Sequence, residues 1–241
     1  MKLRPPPDIH EAAVEQHYAR APDGGVESDA AIAALATAVR TTRLNSEQLA
    51  AFAETLGKDR LTAPDAARLK LRDTALKLAE ATAKKLDDAK AAVQREIEEI
   101  DTLTGTPPAL RDQFSAGLEA EIRARLASMS EKARDEAISK AFTEKEASII
   151  AAALRGPAML IGMNPAKQSI IRHRYRHTFY PDEAARLKRL TAALEATERS
   201  GRSFLGYIAN AATGAATELA EAAANAKAAE QAIAAAIAEQ E

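Results

Sequence analysis

Residues 62–104, TAPDAARLKLRDTALKLAEATAKKLDDAKAAVQREIEEIDTLT, hold one proline, at the third position, and no glycine. Thr62 is a capping residue. Pro64 suits a first helical turn, where its missing N–H leaves no bond unmade, and Asp65 adds favourable negative charge there. The remaining residues are mostly Ala, Leu, Lys, Glu, Arg and Gln, the strongest helix formers. The stretch therefore predicts one unbroken helix of some 40 residues, roughly 60 Å long at 1.5 Å per residue. Positions 69, 76, 83, 90 and 97 read Leu, Leu, Ala, Lys, Ile, and positions 72, 79, 86, 93 and 100 read Arg, Ala, Leu, Val, Ile. The second half of this helix carries a heptad seam, which could pair with another chain or pack inside the chain's own bundle.

The composition supports the same fold class. The chain has 241 residues, of which 59 are Ala, with 33 Lys and Arg against 35 Asp and Glu. Without Ala, only about 22% of residues are larger apolar ones, too few for one thick core because Ala buries little area. These numbers predict an all-α, elongated multi-helix bundle with long coiled-coil-like helices. The absence of cysteine removes disulfides, thiolate metal sites and cysteine nucleophiles. No run approaches the ~18 apolar residues of a membrane span. The first residues lack the apolar core of a secretory signal. A soluble, cytoplasmic chain is expected, with no cofactor and no membrane partner.

Outward from the long helix, residues 1–28 read as a proline-containing arm with a short helix capped by Asp8 and Glu11, closed by the turn Pro22-Asp23-Gly24-Gly25. Ser28 reads as the cap of a helix to Arg43. Asn45 or Ser46 reads as the start of another, ending at Gly57. The strongest interior break is Gly105-Thr106-Pro107-Pro108. Beyond it Leu110, Phe114, Leu118, Ile122 and Leu126 recur every four residues. Ser130 restarts a helix, and Thr143 with Glu146 forms a second capping box. The expected regions are thus 1–28, a helical region 29–156, an apolar connector with a basic helix pair at 157–202, and an Ala-rich terminal helix 203–241. In that last region Leu205, Ile208, Leu219, Ile233 and Ile237 mark a candidate helix–helix seam.

One segment is chemically suggestive. Lys167, Arg172, Arg174, Arg176, Arg186, Lys188 and Arg189 face only Asp182 and Glu183, a local balance of +5. Arg172 to Phe179 also alternates with period two, but Asn164-Pro165 supplies a helix start. As a helix it places Ile171, Tyr175 and Phe179 on one apolar stripe. The cations read as a solvated helix face around that buried stripe, or as candidate contacts for an acidic protein surface or for nucleic acid. The acidic run Glu96, Glu98, Glu99 and Asp101 reads as a solvated face or as a contact for a basic partner, such as the basic segment of a neighbouring subunit. His173 and His177 have the i, i+4 spacing of a helical metal pair. Sequence supplies no third ligand, and the flanking arginines oppose a dication. No catalytic template is present: there is no GxSxG, GxxxxGK or GxGxxG and no visible acid–base pair.

The order Leu154-Arg155-Gly156-Pro157-Ala158-Met159-Leu160-Ile161-Gly162-Met163, then the basic helix, then Tyr180-Pro181-Asp182-Glu183, resembles small helical accessory proteins encoded among bacteriophage head and tail genes. The resemblance implies a non-enzymatic virion component or assembly factor that works as a homo-oligomer or as a subunit of a large assembly. The alternative is a nucleic-acid-binding protein using 167–189.

Overall fold

The computed structural model describes residues 3–110, 112–212 and 215–238. They form an all-α fold: α1 (Ala12–Glu15), a two-residue ribbon β1 (Ala19–Arg20) and β2 (Val26–Glu27), then α2 (Ala30–Lys58) and α3 (Pro64–Gly105). The chain continues through α4 (Gln113–Ser128), α5 (Glu131–Glu144), α6 (Ala147–Arg155), a 3-10 turn at Ala158–Ile161, α7 (Pro165–Phe179), α8 (Pro181–Ala212) and α9 (Ala215–Ala238). Among these residues no helix is long and apolar enough to cross a membrane. The chain divides into two compact units, one made of 1–93 with 192–241 and the other of 94–191. Both α3 and α8 contribute residues to each.

In the first unit the main elements are α2, the N-terminal part of α3 and the C-terminal part of α8. Asp29, rather than Ser28, caps α2 by accepting from Ala31 N at 2.9 Å. The helix then runs straight through Asn45 and Ser46, where sequence suggests a break. Its main buried line is Ile32, Leu35, Val39, Thr42, Ser46, Leu49, Ala53 and Leu56, alternately three and four apart, flanked by buried Ala31, Ala36 and Ala38. Two of them are polar, which is why the periodicity escapes a reading based on large apolar residues. The hydroxyls are satisfied within their own helices: Thr42 Oγ1 donates to Ala38 O at 2.9 Å, Ser46 Oγ to Thr42 O at 2.9 Å and Thr82 Oγ1 to Leu78 O at 2.7 Å. Asn45 Nδ2 donates across to Thr82 Oγ1 at 2.8 Å, and Tyr207 OH donates to Ser46 O at 2.9 Å. These two bonds join α2 to α3 and to α8. Burial pushes the Tyr207 phenol up to about 12.

The long helix α3 forms as the sequence predicts, but only one heptad series lies where expected. Leu86, Val93 and Ile100 are buried, whereas Leu69 is half-buried and Leu76 exposed; Ala75 and Thr82 take the companion positions. Small residues there allow the close approach that the Asn45–Thr82 bond requires. A similar correction applies to α8, which runs through Gly201 and Gly206 instead of stopping near Gly201. Its buried line is Leu190, Ala193, Thr197, Ser200, Phe204, Tyr207 and Ala211. Leu205, placed in the seam by sequence, is one residue out of phase and 55% exposed, while Ile208 is buried. Gly201 lies against Leu86, whose Cδ1 would stand 3.8 Å from an added Cβ.

The N-terminal arm lies on this unit. Ile9 and Val14 are buried, and α1 packs against α2. The expected capping box is not made, because both carboxylates are engaged elsewhere. Asp8 accepts from Ser203 Oγ. Glu11 accepts from Arg43 Nε at 3.0 Å and Arg40 Nε at 3.3 Å. The turn forms where expected, with Gly24 at φ 83°, but it joins the strands of a two-residue ribbon that the sequence does not announce.

The second unit has its core in Leu126, Ile138, Phe142, Ile150, Leu154, Ile161, Met163 and Tyr175. Helix α3 ends at Gly105, before the two prolines. Asp112 caps α4 through Ser115 N at 2.7 Å, and Ser130 caps α5 through Ala133 N at 3.4 Å. The second capping box is not formed: α5 continues past Thr143 to a left-handed Lys145 (φ 55°), and Thr143 Oγ1 donates to Ser139 O instead. Asn164 caps α7 through Lys167 N at 2.8 Å, which confirms the helical reading of the basic segment. Gln168 Nε2 donates to Ala153 O at 2.9 Å and Gly156 O at 2.7 Å, satisfying carbonyls at the end of α6.

Two of these contacts have measurable consequences. The hydrogen bond from Arg43 holds the Glu11 carboxyl down at about 2 from an ordinary 4.5, against the opposing effect of burial. A depressed folded-state pKa contributes stability that is present above pH 4.5 and lost as pH falls toward 2, on the order of 2 kcal/mol once solvent screening is counted. Urea titrations of wild type and Glu11→Gln should differ by about 2 kcal/mol at neutral pH, with the gap closing across that interval. Gly162 sits at φ 67°, and an added Cβ would collide with Arg134 Nη1, which donates to Ile161 O at 2.6 Å. Gly162→Ala should therefore cost at least about 1 kcal/mol, read as a lowered Tm.

Candidate functional site

Helix α7 buries its predicted stripe. Tyr175 is in the core of its unit, with Ile171 and Phe179 packed against that core. Its ring lies 5.0 Å from Phe179 and 5.8 Å from Tyr180, and burial pushes its phenol up. This orientation sends the neighbouring cations in different directions. Arg176 is only 8% exposed; its Nε donates to Thr104 Oγ1 at 2.8 Å and its Nη2 to Asp101. Arg176 is therefore a buried structural ion and is withdrawn from the surface contact that sequence assigns to it. Lys167 Nζ bridges Glu131 at 2.5 Å and Asp135 at 2.7 Å, and these bonds raise its pKa. Arg186 pairs with Glu96.

Arg174 lies over the Phe142 ring, 4.5 Å from its centre, and donates to Ser139 Oγ at 3.3 Å. Arg172 is half-buried with its Cδ near Gly105. Arg189 is half-buried too, and Lys188 is exposed. The seven cations thus do not converge on one surface. The acidic run at the end of α3 supplies two of their counter-ions, Glu96 and Asp101, so it meets the basic segment of its own chain.

The opposite face of α7 holds the histidines. His173 and His177 are both exposed, with ring centres 4.4 Å apart and Nε2 atoms 3.3 Å apart. Among the described residues no group of three or more His, Asp or Glu is placed to hold a metal ion.

The feature that sequence does not announce is a groove of about 320 Å³ in the second unit. The four-residue stripe of α4 is buried only at its end: Leu126 is in the core, while Phe114 is 81% and Leu118 46% exposed. Phe114 and Leu118 line the groove with Pro107, Leu110, Ala151 and Phe179. At its base lies Glu119, buried and bonded by both Arg123 and Arg155. Glu119 and Arg123 are an i, i+4 pair visible in sequence, but nothing in sequence brings Arg155 to them. The groove offers apolar contact and a neutralised carboxylate. Of the lining residues, Ser115 donates its hydroxyl to the Asp112 carboxylate that caps α4, at 2.9 Å.

In the terminal helix α9, Leu219 is half-buried and residues 223–232 are exposed. The side chains of Ile233 and Ile237 lie outside the described residues.

Glu119→Ala should destabilise the second unit by about 3 kcal/mol, because it leaves two guanidiniums near the groove base without their counter-ion. Arg123→Ala keeps the Arg155 pair and should cost less. Thermal unfolding of both variants checks the order. Comparison of the chain with protein-family profiles, with curated proteins and with solved structures gives no match.

Proposed function

We propose that this chain is a non-enzymatic structural or assembly protein that works through helix–helix contacts with neighbouring subunits. The observation that carries the reading is the exposed apolar face at α4. Leu110, Phe114 and Leu118 stand beside an apolar groove, a layout suited to receiving an apolar stripe of another helix. The exposed, Ala-rich run 223–232 of α9 adds support, since a helix of this kind gains most of its stability from a packing partner. The resemblance of 154–183 to phage head–tail accessory proteins makes a virion or head-assembly component the specific form of the proposal. A nucleic-acid interface on 167–189 has less support, because Lys167, Arg176 and Arg186 are already paired with carboxylates of the same chain.

Sedimentation velocity over a range of concentration and salt tests the reading. Self-association above the 25.7 kDa monomer that persists at high salt is expected, since the contact is apolar. The double variant Phe114→Glu with Leu118→Glu should weaken it at least 100-fold, about 3 kcal/mol. Both positions are exposed, so the variant should keep its helix content. A wild-type chain that stays monomeric throughout, or a double variant that associates equally well, contradicts the proposal.

A further inference from the structure

We propose that His173 and His177 form a two-ligand site for a borderline divalent transition-metal ion of the Zn²⁺, Ni²⁺ or Cu²⁺ class. The argument is geometric first. A tetrahedral centre with metal–nitrogen bonds of about 2.0–2.1 Å separates two of its nitrogen ligands by roughly 3.3–3.4 Å. The two Nε2 atoms stand 3.3 Å apart. Both rings are exposed, so neither is needed to fill the core, and water or a further donor can reach the remaining coordination positions. Imidazole nitrogen suits this class of ion.

Electrostatic opposition is smaller than the sequence suggests, because Arg176 is paired with Asp101. The three arginines interleaved with the histidines have their own places: Arg176 is buried on Asp101 and Thr104, Arg174 covers Phe142 and reaches Ser139, and Arg172 is half-buried beside Gly105. The objection raised by the one-dimensional order of residues therefore weakens once the helix is folded. His177 also stands in the last turn of α7, where unpaired carbonyls favour a cation. The site is independent of the α4 groove and of the assembly reading built on it.

The test uses the full chain, freed of metal with a chelator and then titrated with Zn²⁺ by calorimetry and with Cu²⁺ by electron paramagnetic resonance. One ion per chain is expected at this pair, with nitrogen hyperfine structure from two imidazoles in the copper spectrum. His173→Ala and His177→Ala should each weaken Zn²⁺ binding at least tenfold and reduce the copper signal to one imidazole from this helix. Far-UV circular dichroism checks that α7 is intact, and Gln at each position serves as a second, helix-favouring replacement. Wild-type affinity retained in all four single variants, or no binding by wild type beyond that of a variant lacking both histidines, overturns the proposal.

Discussion

A guanidinium taken out of water needs a counter-charge or hydrogen-bond acceptors, and among the described residues Arg176 is a buried one that has both. Its partners, Asp101 and Thr104, stand at the end of α3, 75 and 72 residues away in sequence. Because successive residues of a helix point about 100° apart, fixing Arg176 fixes the rest of α7. Tyr175 falls in the core, Arg174 falls over Phe142, and His173 and His177 fall on the solvent face. Arg186 on Glu96 repeats the contact at the start of α8. The most strongly charged stretch of the sequence is thereby used to hold the second unit together.

The first unit answers a different constraint. A chain that is one quarter Ala has too little bulky apolar surface for a thick core, so its helices must come close. Ala75, Ala193 and Ala53 supply the thin positions, and Thr42, Ser46, Thr82 and Thr197 the others. Each of these hydroxyls donates to the carbonyl four residues back, so its burial leaves no donor unpaired. The larger side chains Leu35, Leu49, Leu86 and Phe204 fill the space between.

The same two constraints explain which features are legible in the sequence. The all-α class, the single helix from Pro64, the breaks at Gly105 and Ser130, and the Asn164 cap come from local propensity and capping chemistry. The apolar stripe of α7 comes from periodicity. The continuity of α2 and α8 is hidden, because Ser46 and Gly201 look like boundaries when their partners, Tyr207 and Leu86, are unknown. The phase of α8 is hidden for the same reason: Thr197 and Ser200 do not announce a buried line, and the exposed Leu205 beside Phe204 mimics one. At the candidate sites the limit is charge. Seven nearby cations look like one patch until their counter-ions, tens of residues distant in sequence, are placed.

Three cations of the basic segment are held by carboxylates of the same chain, and the proposed partner contact rests instead on the exposed apolar face of α4 with its groove. That division of labour is the central claim, and the unfolding free energy of Arg176→Gln tests it most directly. A structural Arg176 predicts a loss of about 2–4 kcal/mol, since Asp101 and the pocket around the guanidinium lose their partner, with affinity for a polyanion such as heparin unchanged at temperatures where the variant is folded. Undiminished stability together with a marked fall in polyanion affinity would contradict it and return the basic helix to the surface as a binding site.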